Sequence, residues 1–292
     1  MTAVPDPLPS LDEAVASTRR DLAAADVPAP QALYLMATGA GMLADRLQRV
    51  ASFDLSGCAD VPEDWRPRTL YHGLLADRTV WLIDDVAGEP GAGEAPGWSA
   101  GFPCWLASAS GARVCVHTSA GASLRSADDG HEGPAAGTLA LVRDHINLSG
   151  TSPLVALGES RLGPLFPDLS RLHHTGLREC AAERARKLGI ATAEVVAACT
   201  LGPSMETPAE SRWLARAGAQ VSVQGLAGPL LASAHAGLAV LSIVAVTAES
   251  SASSLEDILE QAQSTAPALE DLAVALGDDV QDLAQTLMED TA

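Results

Sequence analysis

Lysine is almost absent from this chain: its 292 residues include 17 arginines and a single lysine, Lys187. These 18 bases stand against 37 acids, for a net charge of −19. A field of that sign repels nucleic acid and anionic membrane surfaces, so neither is expected as a partner. Cysteine is sparse and unpaired in pattern. Cys58, Cys104, Cys115, Cys180 and Cys199 are odd in number and form no C-x-x-C, which implies reduced, mostly buried thiols. The N-terminal MTAVPDPLPSLDEAV has no basic segment followed by an apolar one, so no export signal is read and a cytoplasmic protein is expected. No His, Cys and acid group has zinc spacing, and the adjacent His173 and His174 would not share a helix face. A phosphate-cradling G-x-x-x-x-G-K-[ST] is missing too. No metal and no cofactor are therefore expected.

What is present is ample apolar material, 47% of the chain, and no charged or Ser-rich linker to divide it. One α/β domain over residues 1–292 is the expectation. Leu11 to Ala25 suits an amphipathic helix, and Ala32 to Met36 a short strand that runs into ATGAGMLADRLQ, a Gly-turn and helix. Further strands are expected in Leu70 to Ile83, Val114 to Val116, Thr138 to Val142, Glu194 to Leu201 and Val240 to Thr247. Val221 to Ala248 carries no charge and is long enough to cross a bilayer. Its Gln224, Gly225, Pro229 and Gly237 instead divide it into strand, loop, short helix and buried strand. Helices from Ser254 to about Met288 are expected to break at Pro267 and Gly277. Such alternation implies a mainly parallel or mixed central sheet flanked by helices, with ligands at the carboxyl ends of the strands. Ile83 to Gly101, rich in Gly, Pro, Ala and acids, reads as a mobile loop over 84–101.

The most informative stretch is GPSMETPAE, Gly202 to Glu210. Thr207 is placed to cap a helix, with Pro208 as its first residue and Glu210 closing a capping box. Glu206, just outside that cap, either favours the helix dipole as an exposed acid or serves a ligand at the strand end.

In chain order from about residue 30 to 290, several motifs resemble the trimeric purine nucleoside phosphorylases. RDHINLSGTSPL with LGPLFPDLS, Arg143 to Ser170, is similar to the family's RDHINL…NPL…FGxRFPxMS, and GPSMETPAE to its GPSFETPAE. ATGAGMLADRL, HTSAGAS and ASAHAGLAVLSIVAVTA resemble further family segments less closely. The resemblance implies a pentosyltransferase that moves ribose from a purine N9 to phosphate. In that chemistry the departing base gathers negative charge, which a carboxylate helps to hold. Carried over residue by residue, Glu206 would be that catalytic carboxylate and Met205 would replace a stacking Phe. Phe166 would be lent to the pocket of a neighbouring subunit in a homotrimer, or else be an ordinary core residue. Gln224 would lie under ribose, and Thr38 and the backbone around Ser119 and Ala120 would face phosphate.

The family's RFHxYEG, whose Arg and His hold phosphate and whose Tyr helps hold ribose, aligns with IDDVAGEPG. Between Asp84 and Gly101 there is no Arg, His or Tyr. At about 5 Å and an effective dielectric near 20, one carboxylate opposes a singly charged phosphate by roughly 3 kcal/mol. The family's later phosphate-binding Ser, purine-binding Asn and C-terminal His fall on Gly225, Ala248 and about Leu255. Arg66 and Arg68 either reach inward as replacement cations or are solvated loop residues. His72 and His117 border expected strand ends as acid or base, or are structural. The expectation is a purine nucleoside phosphorylase-like protein with phosphorolysis weakened or replaced. The alternative is a catalytically silent member that binds a ligand or assembles with an active paralogue.

Overall fold

The computed structural model describes residues 9–37, 40–84, 96–124, 133–155, 157–249 and 254–289. Ser10 caps helix α1, Leu11–Ala24, through a capping box with Glu13, and strand β1, Ala32–Met36, follows with all five residues buried. Helix α2, Ala40–Arg46, leads into β2, Gln48–Asp54, a mostly exposed strand. The expected strand-rich segment is a hairpin: β3, Thr69–Leu75, turns through Ala76 and Asp77, both at positive φ, into β4, Arg78–Asp84. Two left-handed residues in a two-residue turn match the twist of the strands they join.

After α3, Phe102–Ser110, come β5, Val114–Ser123, and β6, Leu139–Asn147, both longer than expected, so that HTSAGAS and RDHIN lie within strands. Helix α4, Thr175–Leu188, then precedes β7, Thr192–Thr200. The uncharged run resolves into β8, Val221–Gln224, α6, Ala227–His235, and the start of β9, Ala239–Glu249, beyond α5 at Pro208–Arg216. Two helices end the described chain, α7 at Leu255–Ala275 and α8 at Gly277–Glu289. The break at Gly277 is observed, but Pro267 lies inside α7 and does not break it. Leu269, Leu272, Ala273 and Leu276 are fully buried beyond it. Burying each Leu contributes about 1.5–3 kcal/mol, which together exceeds the roughly 3 kcal/mol a helical proline costs. No described helix is long and apolar enough to cross a membrane.

The nine strands form one mixed sheet in the order β2-β3-β4-β1-β5-β8-β7-β6-β9, and β9 pairs back to β5. Five strands, β5, β8, β7, β6 and β9, thereby close into a ring, and β1 to β4 extend from it as a wing. Strand alternation divides the core. Leu33, Leu35, Trp81, Ile83 and Cys115 join α1, α3 and α6 on one face, and Tyr34, Met36, Leu82 and Val116 join α2, α4, α7 and α8 on the other.

The expectation of a mobile loop over 84–101 needs correction at both ends. Asp84 belongs to β4, and residues 96–101 fold into a turn and a short 3-10 segment, Ser99–Gly101, that enters α3 directly. Trp98 is buried, the Ser99 hydroxyl donates to Asp64 Oδ2 at 2.8 Å, and the Trp65 indole N–H donates to Ser99 O at 2.7 Å. Residues 85–95 lie outside the described residues.

Candidate active site

The expected cap of α5 is observed, with Thr207 as N-cap, Pro208 first in the helix and a complete capping box with Glu210. Glu206 takes no part in it. Its carboxylate turns back toward the strands, where the Thr200 hydroxyl at the end of β7 donates to Oε1 at 2.8 Å and the Ser222 hydroxyl of β8 donates to Oε2 at 3.0 Å. Each oxygen keeps a further lone pair for another donor. The turn is propped from below by Gln224, whose amide donates to Ser204 O at 3.0 Å. Gly202 leaves room for this contact, since a Cβ on it would displace the end of the Gln224 side chain. Gln224 is thus engaged with the turn that carries Glu206. Met205 is 44% exposed beside it.

One strand away, β5 changes partner. It pairs with β1 as far as Thr118, opposite Met36, and with β8 only from Ala122, opposite Ser222. The Thr118 carbonyl accepts from Ala37 N at 3.0 Å, so that residue's backbone faces β1. By alternation the Ala120 N–H points into the interval between the two partners. Gly121 lets β8 approach there, as a Cβ would stand 2.7 Å from Ser222 O. The side chain of Ser119, with that of the buried His117, faces opposite to that of Ala120. Since Ser222 holds Glu206 and opposes Ala122, the carboxylate and the β5 interval flank one place.

Met36 also opposes Asp84, which puts the end of β4 on the far side of β1 from that interval. Burial pushes the Asp84 carboxyl above the usual range, and the neighbouring Arg68 guanidinium opposes the shift. Arg66 does not reach inward: it donates to Val61 O at 3.0 Å and Ala59 O at 2.6 Å within its own loop. His72 is not at a strand end either. It sits mid-strand in β3 opposite Trp81, three residues from the level of Asp84, and burial lowers its pKa. His117 lies within β5, opposite Leu35 and Ser242. Thr38 lies outside the described residues. Phe166 is 87% exposed in the segment between β6 and α4, so the core alternative is excluded for the single chain.

Residues 40–276 match the profile of the phosphorylase superfamily. The chain belongs to that superfamily. It is 28% identical over 233 residues to purine nucleoside phosphorylase 1 of Geobacillus stearothermophilus, covering 75% of this chain and 78% of the relative. It is also 38% identical over 145 residues to the purine nucleoside phosphorylase of Mycobacterium leprae, covering 50% and 48%. The same fold occurs in a Schistosoma mansoni purine nucleoside phosphorylase in complex with adenosine, at TM-score 0.77 and 21% identity over 91% of this chain and 97% of that one. A structure of schistosoma purine nucleoside phosphorylase in complex with hypoxanthine aligns equally well, at TM-score 0.77 and 20% identity over 92% and 98%. The expected family and its mixed α/β fold are both found in this chain.

Three features of the site were not read from the sequence. Thr200 and Ser222 as holders of Glu206 have a faint signal, a hydroxyl at the end of one strand and another mid-strand in its neighbour. Arg68 beside Asp84 follows from the hairpin register, in which Leu70 opposes Ile83. The third, away from Glu206, is a meeting of the adjacent Asp144 and His145 of β6 with His173, 28 residues further along the chain.

Proposed function

We propose that this member of the superfamily is a single nucleoside phosphorylase-like domain that acts on a purine-type nucleoside or analogue at the N-glycosidic bond, with phosphorolysis weakened or replaced by a related reaction. The observation that carries the reading is the Glu206 carboxylate, held at both oxygens by Thr200 and Ser222 and turned away from its own helix. Held so, it can accept hydrogen bonds from N1–H and the 2-amino group of a 6-oxopurine. Those bonds strengthen as the N9–C1′ electron pair passes to the base and the sugar becomes oxocarbenium-like. Met205 packs on the base as a less rigid stand-in for an aromatic ring. The Ala120 N–H supplies one donor to an anion or acceptor beside the sugar. The named activity of the relatives and the adenosine and hypoxanthine bound by the schistosoma enzymes support a purine ligand. Support for impaired phosphate use comes from Asp84 at the end of β4 and from Arg66, which gives two of its donors to Ala59 and Val61 in its own loop.

The reading further places the chain in a cytoplasmic homotrimer, with the exposed Phe166 closing the pocket of a neighbouring copy. A second reading, a catalytically silent member that binds a ligand or joins an active paralogue, is favoured by Gln224, whose amide is turned onto Ser204. An assay with inosine and guanosine, with and without millimolar phosphate, separates the possibilities. Binding with slow, phosphate-insensitive release of base is the expected result, and binding without any turnover selects the silent member. Brisk phosphate-dependent release of hypoxanthine refutes the reading of the β4 end.

A further inference from the structure

Strand β6 outlasts its partner β9. Their pairing covers only Leu139 to Leu141 against Ala245 to Ile243. Past that point the edge of β9 is taken by the segment returning toward α4: Val240 N donates to Leu172 O at 3.2 Å, His174 N donates to Val240 O at 2.9 Å, and His173 bridges Val240. This return sets His173 against His145, and the two imidazoles meet edge to face with His145 Nδ1 and His173 Nε2 3.1 Å apart. A ligand oxygen of Asp144 joins them, so that all three ligand atoms lie within 4.8 Å of one another.

We propose that Asp144, His145 and His173 form a binding site for one divalent transition-metal cation of the zinc type, with water in the remaining positions. The donor set is two imidazoles and a carboxylate, which suits Zn²⁺ and its neighbours over Mg²⁺ or Ca²⁺. The spacing suits it as well. At Zn–N distances of about 2.0–2.1 Å, two imidazole nitrogens on one ion lie roughly 2.8–3.4 Å apart for bond angles between octahedral and tetrahedral. The ligands also differ in exposure in the way a filled site needs. His173 is buried and held by the backbone at Val240, His145 is half-buried, and Asp144 is open to an entering ion. The nearby Arg178 does not leave its charge on the site uncompensated: it donates to His173 O at 2.7 Å and stands 3.5 Å from a Glu194 oxygen. An ion here would tie the two ends of the segment from Leu148 to Leu172, which carries the exposed Val155, Leu165 and Phe166. The site is separate from Glu206, and its occupancy would act on that segment's order.

The test uses full-length, tag-free protein stripped with a chelator, then titrated with Co²⁺ by visible absorption and with Zn²⁺ by calorimetry. One saturable equivalent is expected, with a rise in melting temperature. His145→Ala should weaken binding by at least the tenfold to hundredfold that loss of an outer-shell partner alone costs, and should abolish the thermal shift. Asp144→Asn, an exposed change that leaves the fold intact, should weaken it too, which keeps the test decisive if a substitution of the buried His173 unfolds the chain. Absence of a saturable equivalent, or equal binding by wild type and His145→Ala, would mean that the two rings share only a hydrogen bond and would overturn the proposal.

Discussion

Glu206 accepts from two hydroxyls that no helix cap requires, and this decides what its replacement should do. Glu206→Gln exchanges one acceptor oxygen for an N–H donor, which would face the N–H groups of a 6-oxopurine and one of the two hydroxyls. A hydrogen bond to a charged group contributes roughly 1.5–3 kcal/mol, so affinity for purines or nucleosides should fall about tenfold to a hundredfold. Melting temperature should hardly change, because Thr207 and Glu210 cap α5 without it. Calorimetric titration beside melting curves checks both, and a mutant that loses stability while wild type binds no purine would make Glu206 structural. A second acid behaves differently. Glu270 on α7 is only 2% exposed, and burial raises its pKa despite the nearby Arg46. A carboxyl with a raised folded-state pKa contributes fully to stability below its unfolded pKa, and that contribution is lost as pH rises through the folded value. Glu270→Gln should therefore raise the melting temperature at pH 7, with the advantage vanishing in acid below the ordinary Glu range. An equal gain at every pH would show that packing, not charge, is responsible.

At the scale of elements, α7 carries a proline in its interior and continues past it. Pro267 is exposed, with Thr265 and Leu269 buried on either side. It removes the hydrogen bond that residue 267 would give to Gln263 O. Pro267→Ala should restore that bond and stabilise the chain by about 1–3 kcal/mol, read as a higher urea midpoint with unchanged slope. A lower midpoint would mean that α7 needs the bend to follow β9 and that its alanine form is strained. The helix also shows which local signals are dependable. Its N-terminal box of Ser254 and Asp257 forms, as do those of α1 and α5, because a cap satisfies its own neighbours within one turn. Proline as a stop signal fails here, because the buried side chains beyond it contribute through contacts the local sequence does not contain.

The whole molecule leaves an apolar surface uncovered. Val155, Leu165 and Phe166 are 69%, 65% and 87% exposed on one segment. Burial against another copy would remove that surface from water, and light scattering should give close to three times the chain mass of 29.9 kDa. Phe166→Asp should shift the mass toward the monomer. A wild-type monomer at micromolar concentration would refute the homotrimer and the role of Phe166 in a shared pocket.

The sequence by itself determined the strand-turn-helix units, the capped α5, the division of the uncharged run and the lack of Arg, His and Tyr between Asp84 and Gly101. These depend on periodicity and on contacts three or four residues apart, which a linear reading contains. Only the tertiary structure decided where the side chains at the strand ends point. It joined β9 to β5, which closed the ring, and gave Glu206 to Thr200 and Ser222. It turned Gln224 under Ser204 and spent Arg66 on its own loop. It also brought His173 to His145 by running the chain along the edge of β9 that β6 leaves free. Those outcomes follow from the register between strands distant in sequence, where a shift of one residue sends every side chain to the opposite face, and no local pattern fixes that register.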